Sequence, residues 1–116
     1  MNRKRILLVE DEAPLLEMIS DVLDSEGFDV QTAGDGVAAL ELLGRDAPFD
    51  YLVSDVMMPE GVSGIDLARQ ASTIQPGVHI VLVSGLSRAQ LPPLPDGVSF
   101  LPKPYRIQQL LDALGV

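Results

Sequence analysis

The chain contains no cysteine and no tryptophan. Without thiols there is no disulfide scaffold, no thiol enzyme and no zinc ribbon. Aromatic side chains are scarce too, limited to Phe28, Phe49, Phe100, Tyr51 and Tyr105. A core drawn from a chain that is 47% hydrophobic must therefore be aliphatic. No apolar run approaches the ~20 residues of a membrane span. The basic start at Arg3, Lys4 and Arg5 is followed by only four apolar residues before Glu10, which is not a signal-peptide pattern. The expected setting is cytoplasmic. Positive charge is also in short supply, with 8 Lys and Arg against 17 Asp and Glu and a net charge of −9. That balance repels the phosphate backbone, so neither direct nucleic-acid binding nor attachment to a membrane surface is expected.

What is present is strand-length apolar runs alternating with helix-period segments, in 116 residues read as one domain, 1–116. Ile6, Leu7, Leu8 and Val9 form a continuous run, the pattern of a strand covered on both faces. Pro14 suits a first helical position, and Leu15, Ile19 and Val22 continue at helical spacing to a stop near Gly27. Residues 29–33 read as a second strand, 37–43 as a short helix opened by Gly36 and stopped by Gly44, and 49–54 as a third strand. Residues 64–74 read as a helix ending at Pro76-Gly77, 79–84 as a fourth strand and 99–101 as a fifth. Ile107, Leu110, Leu111 and Leu114 mark the last helix. Between Gly85 and Val98, Pro92, Pro93 and Pro95 bar a helix interior. At most one turn, over 87–91, is predicted there. This alternation implies a mainly parallel sheet with helices on both faces and right-handed crossovers.

In such sheets ligands bind beyond the carboxyl ends of the strands. Those ends carry Glu10, Asp11 and Glu12 after the first strand, Asp55 after the third, Ser84 and Gly85 after the fourth, and Lys103 after the fifth. Taken singly, each has an ordinary reading: a solvated acidic loop, a turn cap, a strand-end hydroxyl, a surface lysine. Converging on one edge, they make a different set. Three carboxylates and a backbone carbonyl form an oxygen-only site suited to Mg²⁺. A lysine supplies a point charge for phosphoryl oxygens, and a hydroxyl supplies a hydrogen bond. These are the parts of phosphoryl transfer with a carboxylate nucleophile. His79 lies away from this edge and reads as structural or solvated, and Met57 and Met58 read as loop packing. Gly34-Asp35-Gly36 reads as a turn and not a dinucleotide fingerprint.

The pieces Ile6-Leu7-Leu8-Val9-Glu10-Asp11-Glu12-Ala13-Pro14, Ala33-Gly34-Asp35-Gly36-Val37-Ala38-Ala39-Leu40, Asp55-Val56-Met57-Met58-Pro59, Val83-Ser84-Gly85 and Lys103-Pro104-Tyr105 occur in this order along the whole chain. Together they resemble the receiver domain of two-component response regulators. The resemblance implies a flavodoxin-like doubly wound sheet of order 2-1-3-4-5, with its fourth helix short or irregular here. It implies Asp55 as the phosphoacceptor. Glu10, Asp11, Asp55 and the Met57 backbone carbonyl would be ligands of Mg²⁺. Lys103 and Ser84 would contact the phosphoryl group, and Ser84 and Phe100 would act as switch residues. A cis peptide at Lys103-Pro104 is implied as well. The implied phosphodonor is a sensor histidine kinase or a histidine phosphotransfer protein, and the output a downstream protein target.

Several positions depart from the commoner family pattern. Glu10 stands for Asp and Ser84 for Thr, and each keeps its functional group. The loop Pro59-Glu60-Gly61-Val62-Ser63-Gly64 is one residue longer than usual and resembles receivers of hybrid histidine kinases. The proline-rich stretch replaces much of the fourth helix, a common output face. Met57 and Leu86, both apolar, stand two residues after Asp55 and Ser84, and slow self-dephosphorylation is expected. Because the chain closes at Gly115-Val116, directly after the last helix, output through a protein partner or onward phosphotransfer is expected, with no enzymatic activity beyond self-phosphorylation and self-dephosphorylation. Three other readings share part of this pattern. One is an interaction module on the same scaffold that is never phosphorylated. Another is an aspartate-nucleophile phosphatase, which needs an Asp pair after the first strand that Glu10 and Glu12 do not supply. The third is a flavodoxin-like flavin carrier, whose phosphate loop would have to tolerate three carboxylates.

Overall fold

The computed structural model describes residues 3–46, 48–58 and 61–115. Pro59 and Glu60, and with them the loop-length reading, lie outside the described residues, as does Val116. Five strands, β1 (Arg5–Val9), β2 (Asp29–Ala33), β3 (Tyr51–Asp55), β4 (His79–Ser84) and β5 (Ser99–Pro102), pair in parallel in the order β2-β1-β3-β4-β5. The helices are α1 (Ala13–Ser25), α2 (Gly36–Arg45), α3 (Gly64–Ile74) and α4 (Ile107–Ala113).

Alternation along the central strands divides the aliphatic core between two faces. Ile6, Leu8, Val53, Val81 and Val83 pack with Ile19 and Leu23 of α1 and with Leu110 and Leu111 of α4. Leu7, Val9, Leu52, Ile80 and Leu82 pack with Leu43 of α2 and with Leu67, Ala68 and Ala71 of α3. This is the predicted doubly wound sheet. Where a helix between β4 and β5 would stand there is one 3₁₀ turn, Arg88–Gln90, followed by the proline stretch. Leu91, Leu94 and Val98 from this segment cover the α2–α3 face in place of a helix.

Some element bounds differ from the sequence reading. Helix α2 continues through Gly44 to Arg45. A glycine inside a helix costs only about 0.5–1 kcal/mol, and burial of Leu43 on the core face offsets it. The stop is Asp46, whose backbone turns extended two residues before Pro48. Strand β3 begins at Tyr51 rather than at Phe49, because the Phe49 N–H donates to Gln75 Oε1 (2.6 Å) instead of to a neighbouring strand. It ends one residue later than predicted, so Asp55 is the last strand residue, paired with Val83. Strand β5 likewise runs on to Pro102. Helix α1 starts at Ala13, one residue before Pro14. Asp35, read as part of a turn, caps α2 by accepting from the Ala38 N–H at 2.8 Å.

Candidate phosphoryl-transfer site

Strands β1 and β3 are adjacent and in register, which sets Glu10, just past β1, beside Asp55. Both carboxylates are buried, at 4% and 7% exposure, beside a core that is almost wholly aliphatic. Each is compensated. Lys103, just past β5, reaches across the end of β4 and places its Nζ 2.8 Å from Asp55 Oδ1 and 3.4 Å from Glu10 Oε1. The Lys103 N–H donates to the Ser84 carbonyl (2.8 Å), which fixes the lysine backbone on the end of β4. Glu10 Oε2 accepts from the Glu12 N–H at 3.0 Å, holding the acidic chain in the turn that leads into α1.

Asp11 completes a trio: one carboxylate oxygen from each of Glu10, Asp11 and Asp55 lies within 4.8 Å of the other two. Glu12, the third acid of the run, is outside this cluster; it is exposed and sits at the N-cap of α1. Hydrogen bonding to Glu10 and partial burial hold the Asp11 carboxyl above its ordinary range, because two anions share too little positive charge. Burial works against the Lys103 ammonium, but Asp55 and Glu10 outweigh it and hold its pKa above the usual lysine value. A trio of hard oxygen donors short of positive charge fits a divalent cation such as Mg²⁺.

Close packing behind Asp55 keeps it in place. Gly64 opens α3, and its N–H donates to the Val56 carbonyl at 2.8 Å. A Cβ at this position would stand 2.7 Å from Val56 Cα and 2.8 Å from the Asp55 carbonyl carbon. Only glycine allows the helix to start so near the acid.

The remaining predicted residues are placed as follows. Ser84 ends β4 and is buried, with its Oγ accepting from the Leu86 N–H at 3.0 Å. Phe100 is half-buried in β5, opposite Leu82. The Lys103–Pro104 peptide is cis, as the resemblance implied. Met58 packs against the core, but the Met57 side chain does not pack as predicted: the segment leaves β3 with that side chain 64% exposed. His79 is exposed, with Nε2 3.3 Å from Ser99 Oγ and its ring against Tyr51.

Beside the acids the structure adds a groove that the sequence reading did not anticipate. It occupies about 570 Å³ between α1 and the start of α4, and its lining includes Leu15, Met18, Ile19, Tyr105 and Ile107 together with Lys103. Met18 (56% exposed) and Ile107 (37% exposed) leave apolar surface open there. The Tyr105 hydroxyl is pushed up in pKa by burial, with the Lys103 charge opposing.

A family model described as the response regulator receiver domain matches residues 6–115. The chain belongs to that family. It is 33% identical over 114 residues to the response regulator receiver protein CpdR of Brucella abortus, covering 96% of this chain and 93% of that one. The receiver domain of the hybrid histidine kinase CckA superposes with a TM-score of 0.82 at 34% identity, over 96% of this chain and 95% of the other. The response regulator TrrA of Thermotoga maritima, solved in complex with Mg²⁺-BeF, superposes with a TM-score of 0.84 at 27% identity, over 97% and 96% of the two chains. The chain is thus a receiver domain of two-component signalling with an acidic pocket at the carboxyl edge of its sheet. Among the described residues no helix is long and apolar enough to cross a membrane.

Proposed function

We propose that the whole chain acts as one cytoplasmic receiver that accepts a phosphoryl group on Asp55 from a histidine kinase or a histidine phosphotransfer protein. The observation that carries this reading is the buried Asp55 carboxylate held 2.8 Å from Lys103, with Glu10 and Asp11 within 4.8 Å. An Asp55 carboxylate oxygen forms the new O–P bond while the P–N bond to the donor histidine breaks, and the leaving imidazole keeps the bonding pair and takes up a proton. Lys103 neutralises phosphoryl oxygens as they approach. The Ser84 hydroxyl donates a hydrogen bond to the product, and Phe100 follows the hydroxyl as the second switch residue. Glu10, Asp11, Asp55 and the Met57 carbonyl would hold Mg²⁺, which when bound offsets the negative charge gathered on acceptor and phosphoryl group.

The α1 groove supports a helical phosphodonor. Its lining joins Met18 and Ile107 to Lys103, which contacts Asp55 and Glu10, so a helix laid along Met18 and Ile107 would bring a histidine towards the acids, as in other helix-in-groove contacts. The net charge of −9 favours a protein output target over nucleic acid.

Incubation with acetyl phosphate and Mg²⁺ tests the reading by intact mass. One phosphoryl group is expected on the wild type and none on Asp55→Asn. A wild type that gains no mass would point instead to an interaction module that is never phosphorylated. Sustained turnover of p-nitrophenyl phosphate would make the protein a phosphatase.

A further inference from the structure

A fully buried hydroxyl stands next to the acceptor and takes no part in the transfer chemistry: that of Ser54. Alternation along β3 puts it on the same sheet face as Leu52 and Val56, among the aliphatic side chains of the α2–α3 core. An apolar residue would suit that face, since a buried hydroxyl is costly unless it finds a partner. The partner is the acceptor's own backbone. Ser54 Oγ donates to the Asp55 carbonyl at 2.9 Å and lies 4.0 Å from Met58 Sδ. Both contacts fall on the turn that carries the chain out of the sheet. The peptide joining Asp55 to Val56 is thereby held at both ends, its carbonyl by Ser54 and its N–H by the Val83 carbonyl (2.9 Å).

We propose that Ser54 is a positioning residue for the acceptor: its hydroxyl fixes the Asp55–Val56 peptide and so the direction in which the Asp55 carboxylate faces an incoming phosphoryl group. A hydroxyl has one hydrogen to give, and the Asp55 carbonyl takes it, so Ser54 acts through the backbone and not on the carboxylate. Without that donor the carbonyl is left short of a partner beside an aliphatic core, and the peptide tilts. Tilting it about the Asp55 Cα shifts the side chain relative to Lys103 Nζ, now 2.8 Å from Oδ1. Transfer depends steeply on such alignment, with misplacement by about 1 Å able to cost some hundredfold in rate.

This inference rests on Asp55 as the acceptor, and two readouts on the whole chain test it. Intact mass follows the rate of phosphorylation by acetyl phosphate with Mg²⁺, and amide hydrogen exchange without phosphodonor follows the Val56 N–H. In Ser54→Ala the rate is expected to fall about tenfold, and Val56 exchange to rise about tenfold relative to Val53 and Val81. Ser54→Thr keeps the hydroxyl and is expected to restore both. Ile80→Val serves as the control for stability alone. It trims the same buried face but pairs with Leu52, away from the carboxyl edge, and should leave rate and Val56 exchange unchanged. A folded Ser54→Ala that is phosphorylated as fast as the wild type overturns the positioning role and leaves the acceptor reading standing. Slowing that Ser54→Thr does not rescue, or that Ile80→Val matches, makes the effect one of packing and overturns it as well. A wild type that gains no phosphoryl group overturns the acceptor reading and this inference with it. If Ser54→Ala does not fold, Ser54→Cys, of similar volume but a weak donor, takes its place with the same expected losses.

Discussion

Lys103 Nζ stands 2.8 Å from Asp55 Oδ1 although the two residues come from strands separated by β4. The ammonium is held above its ordinary pKa of 10.5 by Asp55 and Glu10, against the opposing effect of burial. A pKa raised on folding gives stability that is complete below the unfolded value and is lost as pH climbs through the folded one. Tyr105, raised above its ordinary 10.0, acts with the same sign. Stability measured by urea unfolding should therefore fall between about pH 10 and 11 and beyond. Lys103→Met should lower stability at neutral pH and flatten this alkaline decline, and adding Tyr105→Phe should flatten it further. An unchanged alkaline slope in the double variant would mean that neither group is coupled to folding.

Mg²⁺ should stabilise the protein against heat. Ligand at ten times its Kd adds about 1.4 kcal/mol, or roughly 5–10 °C in Tm for a domain of this size. The Asp11 carboxyl is raised above its ordinary pKa by Glu10, so protons and metal compete for it and the Mg²⁺ shift should shrink as pH falls into the acid range. Asp11→Asn removes one donor and should abolish most of the shift at neutral pH. Differential scanning fluorimetry with Mg²⁺ measures both effects. Equal shifts for the wild type and Asp11→Asn would remove Asp11 from the metal site.

Gly64→Ala should cost about 2–3 kcal/mol or more, the upper range for overpacking a rigid site. The atoms that a Cβ would meet belong to the backbone of Asp55 and Val56 and cannot rotate away. Any variant that folds should accept phosphoryl groups more slowly, because relief of the clash must displace the Asp55 backbone. Denaturant midpoints and intact-mass time courses check the two effects. A variant as stable as the wild type would show that α3 can shift without strain.

How much of this was legible in the sequence varied with the range of the interaction. The central strands read directly, because Ile6–Val9 and Ile80–Val83 are buried on both faces and so appear as unbroken apolar runs. The position of the acids followed from the strand-end rule, which needs only the strand limits to within a residue or so. Gly64 could not be read as a steric requirement, since the atoms it makes room for are set by how α3 meets β3. Leu15, Met18 and Ile19 have the same helical spacing whether they fill a core or line a groove, and only the fold separates buried Ile19 from open Met18. The Met57 side chain was misread for a similar reason: an apolar residue after a strand predicts packing, but the segment leaving β3 turns it outward.

Phosphoryl lifetime offers a test of how Met57 and Leu86 act at the rim of the site. Both side chains are apolar and partly exposed, Met57 at 64% and Leu86 at 37%. An apolar side chain beside an aspartyl phosphate offers attacking water no hydrogen bond, so self-dephosphorylation should take minutes or longer, not seconds. Met57→Glu supplies an acceptor that can orient water, and is expected to shorten the half-life about tenfold, equivalent to some 1.4 kcal/mol of barrier. Leu86→Glu, two residues after Ser84, is expected to act in the same direction. Loss of label from phosphorylated protein after removal of the donor measures all three rates. A half-life of seconds in the wild type would exclude shielding by Met57 and Leu86, and an unchanged half-life in Met57→Glu would remove that side chain from the path of the attacking water.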